Sequence, residues 1–421
     1  MSTTKIQLES FITKSIFIFM VVMIFFTPLL FTSSTKEGYE FPKMIFVYIV
    51  GATIIFLQAL KLIWTRQKFT WGDKVFGVFV IAYALSTLLS SHLYTSLFGY
   101  YSRFNGGLLS VLVFYGVYLA AINSLSKNDF KKLGNYLVVG TFPISLYAIV
   151  QHFDYGSTFR AYATLGQPNW LAAYLVMIIP INFTLFLNEN IKNKQTLFWG
   201  TLLILNCIAI WATYSLSGIF GFMLVLSILI YTNFRKIIND RVKFAPVVLI
   251  VFAFMVARPG IFGSRLYDLF VEFKKEAIVK HVYAQEQNED EYKVSDTGSI
   301  RKGLWRGTTK LITSNPKVFL IGSGPETFPY EFQKHRPAEL NYSSEWDFIL
   351  NKPHNYYLEL WAQIGVLGLG LYLYAIYALL KTKDRILTPA LLGFCIVNFF
   401  GWPTVATALL FWIYAGFLKV E

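Results

Sequence analysis

Long apolar runs separated by short polar turns account for most of this chain. Twelve can be drawn, at about 15–32, 42–63, 73–91, 106–123, 133–152, 169–187, 196–214, 217–234, 244–257, 357–380, 386–400 and 402–418, the ninth and eleventh being short. Crossing roughly 30 Å of hydrocarbon takes about 20 helical residues. A helix also satisfies its own backbone groups where no water can. The pattern therefore predicts an all-α polytopic membrane protein with about 12 transmembrane helices. No Ala-x-Ala-like cleavage site follows the first run, which reads as a retained anchor rather than a signal peptide. One polar interruption differs in scale from the others, residues 258–353, between the ninth and tenth runs. It divides the chain into a nine-helix block (1–257), one large extracytoplasmic loop domain (258–353) and a three-helix block (354–421), with no internal repeat.

The loop has its own periodicity. Leu269, Phe270, Phe273, Ala277 and Val282 are interleaved with Lys274, Lys275, Glu276 and Lys280. That predicts an amphipathic helix over Tyr267–Tyr283, lying on the membrane or against the spans. Gln285–Asp296 is acidic and polar and reads as a loop. A second helix is predicted over Ser299–Thr313, with Ile300, Leu304, Thr308, Leu311 and Ile312 on one side and Asn315-Pro316 as its stop. Val318–Ile321 then runs into a sharp turn, Gly322-Ser323-Gly324-Pro325.

Composition agrees with the pattern: hydrophobic residues make up 55% of 421 and charged residues 14%, where a soluble chain carries roughly 25% charged residues. The net charge of +13 is mostly a rim effect. With the N-terminus placed in the cytoplasm, 19 of the 37 basic residues fall in inner segments and only Lys36, Lys43, Arg103 and Arg160 in short outer loops. The long segment holds 14 basic and 13 acidic residues and is nearly neutral. This asymmetry predicts cytoplasmic termini, an outer loop domain and contact with anionic membrane lipids. It gives no support to nucleic-acid binding, which needs a basic face on a folded domain. Cys207 and Cys395 lie inside spans and read as small apolar residues, neither a disulfide nor metal ligands.

Ionisable residues are scarce within the spans, which weighs against an ion-coupled transporter. Polar residues gather instead at the outer ends, in four segments. These are Tyr100-Tyr101-Ser102-Arg103-Phe104-Asn105-Gly106-Gly107, Arg160 through Trp170, Ser299 through Trp305 with Gly322–Pro325, and His354-Asn355-Tyr356-Tyr357-Leu358-Glu359. Each brings one cation or titratable ring to the same face. Arginine suits phosphate oxygens because its planar fork binds two at once and stays charged. Arg103, Arg160 and Arg301 are therefore candidates for one diphosphate group, although any one alone reads as a snorkelling interfacial anchor. His354 stands where the polar segment meets the tenth run, a candidate for proton transfer. The plain alternative is a histidine that caps a helix or sits solvated at the interface.

Gly166-Gln167-Pro168-Asn169-Trp170-Leu171-Ala172-Ala173-Tyr174 resembles the Gly-x-Pro-Asn-x-x-Ala-x-Tyr segment of the O-antigen ligase and polymerase superfamily. Arg301-x-x-x-Trp305 with Pro316 and Gly322-x-Gly324-x-x-x-Phe328 is similar to the signature of that family's large loop. His354-Asn355-x-x-Leu358-Glu359 and Gly365-x-x-Gly368 are similar to the motif that closes it. These elements fall in the family's order across roughly residues 100–370. The resemblance implies an enzyme of the bacterial cytoplasmic membrane that moves a glycan from undecaprenyl diphosphate to an acceptor hydroxyl on the outer face, without a metal or other cofactor. The acceptor is a lipid, a second glycan or a protein. The resemblance makes His354 the general base and places Arg301, then Arg160 and Arg103, on the donor diphosphate. Asn169, Trp305, Asn355, Tyr356 and Glu359 are expected to contact glycan or support the site, and for Trp305, Tyr356 and Tyr357 an interfacial aromatic belt is the alternative. One departure stands out: where the family often has Ser-Arg-Gly after the seventh span, this chain reads Ser215-Leu216-Ser217-Gly218, which leaves Ser217 a helix-capping role. Two readings from other classes remain. A metal-dependent polyprenyl-phosphate glycosyltransferase would draw on Glu37 and Glu40, and a lipid or glycan transporter would form no glycosidic bond.

Overall fold

The computed structural model describes residues 3–156, 158–260, 297–342 and 346–420, and among these the chain is helical with no strand. The helix expected over Tyr267–Tyr283 and the loop expected over Gln285–Asp296 lie outside the described residues. The first block runs α1 (Thr3–Phe26), α2 (Glu40–Thr65), α3 (Lys74–Leu88), α4 (Leu93–Phe98), α5 (Leu108–Ser124), α6 (Lys127–Asp154), α7 (Pro168–Asn188), α8 (Lys194–Ala212), α9 (Leu216–Asn239) and α10 (Arg241–Ala257). After the undescribed stretch come α11 (Thr297–Ile312), α12 (Pro316–Leu320) and α13 (Phe328–Glu331), then α14 (Tyr356–Leu380), α15 (Leu387–Phe399) and α16 (Val405–Phe417). Each of the apolar runs coincides with a helix. By length and composition seven are able to cross a membrane, namely α1, α2, α6, α7, α8, α9 and α14, while α3, α5, α15 and α16 are shorter apolar helices.

The centre of the bundle is α7. Pro168 occupies its first turn, where a missing N–H costs nothing. Of its apolar window 83% is buried, and it packs against α6, α8, α9 and α15. A helix apolar all round belongs in such a position. Its residues Leu171, Val176 and Ile178 join one continuous core with Met20, Met44, Val117 and Leu409. A second, smaller core holds the loop segment together: Ile300, Leu304, Leu311 and Ile312 of α11 meet Val318, Phe328, Phe332 and Leu340, and close on Ala362 of α14. The side of α11 expected to be apolar is thus its buried side, Thr308 included.

Where the two cores meet, α14 is broken. Gly365 has φ 71°, outside the helical range. A side chain there would collide with the backbone of Leu320 and Ile321, and one at Gly322 with the backbone of Gln363 and Ile364. The carbonyls released by the break are taken by the Gly322–Gly324 turn: Ser323 N–H donates to Ala362 O at 2.9 Å, and Gly324 N–H to Gln363 O at 2.9 Å. The Ser86 hydroxyl adds a bond to Gln363 O at 2.7 Å. A kinked helix in an apolar setting is tolerated only when its freed carbonyls are satisfied in this way.

Candidate active site

The approach to α14 fixes the place of His354. Asn355 is the helix N-cap, its side chain accepting from Leu358 N–H at 3.0 Å. His354 lies one residue outside the helix and is not its cap. Its backbone is in the left-handed region, φ 54°, which is uncommon for a side chain of this size and persists only where neighbours impose it. The Trp305 indole N–H donates to Pro353 O at 3.0 Å. Lys352, 7% exposed, makes ion pairs with both Glu326 and Glu359. Residues 352, 353 and 355 are therefore each held from outside the turn. The imidazole itself makes no hydrogen bond among the described residues and stands edge-on to Trp402, with ring centroids 4.9 Å apart. Burial, reinforced by the positive charges of Arg301 and Arg103, pushes it from 6.5 down to about 4. It is a neutral ring able to accept a proton at physiological pH.

Arg103 shares the Trp402 ring with His354, Arg301 acts on it by charge, and Arg160 reaches this region only through Asn169, the residue beside Trp170. The Arg103 guanidinium lies 5.8 Å from the Trp170 ring and 5.7 Å from the Trp402 ring. The two indoles meet edge to face at 5.9 Å. Among the described residues that guanidinium has no hydrogen-bonded or ionic partner. It is therefore a cation positioned by aromatic faces with its donors uncommitted. Arg160 is tied down by Nε to Thr213 O at 3.1 Å and by a terminal nitrogen to Asn169 Oδ1 at 3.1 Å, one residue from Trp170. Arg301 projects from α11 one turn before Trp305, close enough for its charge to bear on His354. Segments far apart in sequence thus bring Arg103, Arg301 and the His354 imidazole into one region, with Arg160 bordering it through Asn169.

Asn169 has a further partner. The Ser215 hydroxyl donates to its Oδ1 at 2.7 Å and accepts from Gly218 N–H at 3.1 Å. Ser215, not Ser217, is the N-cap of α9. The expectation for Ser217 is corrected by two residues, because the chain turns at Tyr214, φ 45°, and the helix starts earlier than the family spacing suggests.

Beneath the Arg103–Trp402 pair opens a cavity lined also by Glu40, Tyr83, Glu326, Lys352, Tyr356 and Glu359. Burial alone would push the Lys352 ammonium down, but Glu326 and Glu359 outweigh it and hold it above the usual lysine value. Tyr356 points into this cavity against Tyr372, and the Tyr357 hydroxyl donates to Cys395 O at 3.0 Å. The rings that face the cation site are instead Trp170 and Trp402. Lys352, Glu326 and Trp402 were not singled out in the sequence. Glu326 closes the Gly-x-Gly turn and Lys352 stands two residues before His354, signals visible only once the turn and His354 are taken as one unit. Glu37 accepts from Glu40 N–H and Phe41 N–H at 2.7 Å each, while Glu40 accepts from Val405 N–H at 2.8 Å. Glu37 and Glu40 therefore serve two different helix starts, those of α2 and α16.

No curated protein matches the chain. Residues 201–373, from α8 into α14, match the family model described as O-antigen ligase. This stretch contains Ser215, Arg301, Trp305 and His354, whereas Arg103 and Arg160 lie before it. Residues 201–373 thus carry a stretch similar to the O-antigen ligase domain, a match that supports the resemblance to the O-antigen ligase and polymerase superfamily.

Proposed function

We propose that this protein transfers a glycan from undecaprenyl diphosphate to an acceptor hydroxyl at the outer face of the bacterial cytoplasmic membrane, with both termini cytoplasmic. In the reaction His354 takes the proton of the acceptor hydroxyl. The oxygen attacks the anomeric carbon from the side opposite the carrier. The bond from that carbon to the diphosphate oxygen breaks, and undecaprenyl diphosphate leaves with the electron pair. Inversion at the sugar carbon follows. Diphosphate is a competent leaving group once its charge is neutralised, so electrostatic stabilisation supplies most of the barrier lowering. Arg301 and Arg103 flank the base and are the first choices for that role, and Arg160 extends the cationic surface.

The observation that carries this reading is an imidazole with no hydrogen bond among the described residues, set against the same Trp402 ring as Arg103, on a turn held at three neighbouring residues. A histidine serving as a cap or a solvated anchor would need neither the strained backbone nor its supports. The test uses His354→Asn, because asparagine tolerates left-handed backbone and so removes the base with little change to the turn. Transfer from a lipid-linked donor in membranes should fall by about 100-fold or more, with the protein level unchanged. Full transfer by His354→Asn would sink the assignment. Reconstituted vesicles that move lipid-linked glycan without forming a glycosidic bond would favour a transporter instead. The glycosylated product lost from cells lacking the protein identifies the acceptor.

A further inference from the structure

We propose that Lys352, clamped between Glu326 and Glu359, is a positioning residue that fixes His354 against Arg103. The inference rests on the reading of His354 as the base. Three buried charges join three separate segments here. Glu326 belongs to the turn that plugs the broken helix, and its backbone is itself left-handed, φ 58°. Its carboxyl packs directly on Gly106, where any side chain would collide with it. Gly106 ends the loop that carries Arg103, and the Tyr83 hydroxyl holds its carbonyl. Glu359 sits on the first turn of α14, on the same face as Tyr356. Lys352 bridges two buried carboxylates. Through it, the Arg103 loop, the Gly322–Glu326 turn and the residue two before His354 are fastened at one point. Burying three charges is a poor route to stability, since apolar residues of similar size do as well. What the arrangement does supply is one defined register between His354 and Arg103.

Two full-length variants test this. Lys352→Arg keeps the charge. Glu326→Gln, Lys352→Met and Glu359→Gln combined remove all three charges, so no buried carboxylate is left uncompensated. Thermal midpoint, donor turnover and diethyl pyrocarbonate addition to His354, followed by peptide mass spectrometry across about pH 5 to 8, are measured on the same samples; the reagent attacks neutral imidazole, whose ordinary pKa is about 6.5. The combined variant should melt near the parent yet turn over about 100-fold more slowly at saturating donor, the loss that a misplacement of about 1 Å can cause, with KM changed less than about threefold. Its His354 labelling should begin to fall at a higher pH than in the parent, though still below about 6.5, because burial of the ring remains when it shifts relative to Arg103 and Arg301. Lys352→Arg should recover at least a tenth of the turnover, roughly the saving expected from a retained buried pair. Parental turnover and labelling in the combined variant would overturn the proposal. If that variant does not insert, Glu326→Gln alone, which leaves the Lys352–Glu359 pair intact but frees the Arg103 loop, is held to the same outcomes. The labelling needs no transfer. Failure of His354 as a base, seen as full transfer by His354→Asn, is therefore told apart from failure of the positioning role.

Discussion

The neutral state of His354 makes the pH dependence of transfer a sharp test. The imidazole is displaced from 6.5 to about 4, by burial first and then by Arg301 and Arg103. At about 1.4 kcal/mol per unit, that is roughly 3 kcal/mol against the imidazolium in the folded protein. This is an upper figure, because the ring is partly open to solvent and salt screens the two arginines. The folded value lies below the unfolded one, so the unfolded chain takes up the proton first. His354 therefore costs no stability above about pH 6.5, and the folded state loses ground progressively as pH falls from there toward about 4. Catalysis follows the folded value: the base stays unprotonated, and turnover should be level from about pH 8 to about 5 and fall only toward 4. Replacing Arg301 by Gln removes the second cause of the shift and leaves the first. The acid limb should rise, yet remain below 6.5. The assay is initial-rate transfer at saturating donor, with His354→Asn as the baseline. A parental limb at 6.5 or above, or one that Arg301→Gln lowers, would refute the reasoning.

Three further outcomes follow from the geometry. Arg103→Lys keeps the charge but loses the planar fork between Trp170 and Trp402, so turnover should fall by about tenfold or more while the protein level holds, as measured by transfer in membranes. Asn355→Ala removes the cap of α14 and should cost about 1 kcal/mol, read as a lower thermal midpoint with the pH profile unchanged. Gly365→Ala forces a side chain into the Leu320–Ile321 backbone and an alanine into left-handed φ, and should cost several kcal/mol, read as loss of folded protein from the membrane fraction.

Periodicity and length disclosed nearly every helix, since a bilayer-length apolar run has few other uses. They did not disclose that α14 is broken, because Gly365-Val366-Leu367-Gly368 reads equally well as a straight helix with small residues. The candidate residues of the site were legible for a different reason: Arg103, Arg160, Arg301 and His354 stand out against apolar surroundings. Lys352 and Glu326 did not, for the loop between them is full of similar charges and nothing local marks a buried pair 26 residues apart. Trp402 stood at the start of an apolar run, where an interfacial tryptophan is the ordinary expectation. Its role emerges only from its two neighbours in space, Arg103 and His354.

The break in α14 also bears on how the protein is made. A segment whose carbonyls at Ala362 and Gln363 are answered only by Ser86, Ser323 and Gly324 cannot reach its final form alone in the bilayer. During synthesis α14 would enter the membrane as an unbroken helix and kink only when the preceding loop docks. The turn at His354 would then take its form after insertion rather than during it, and until the loop docks the inserted segment is a helix without that turn.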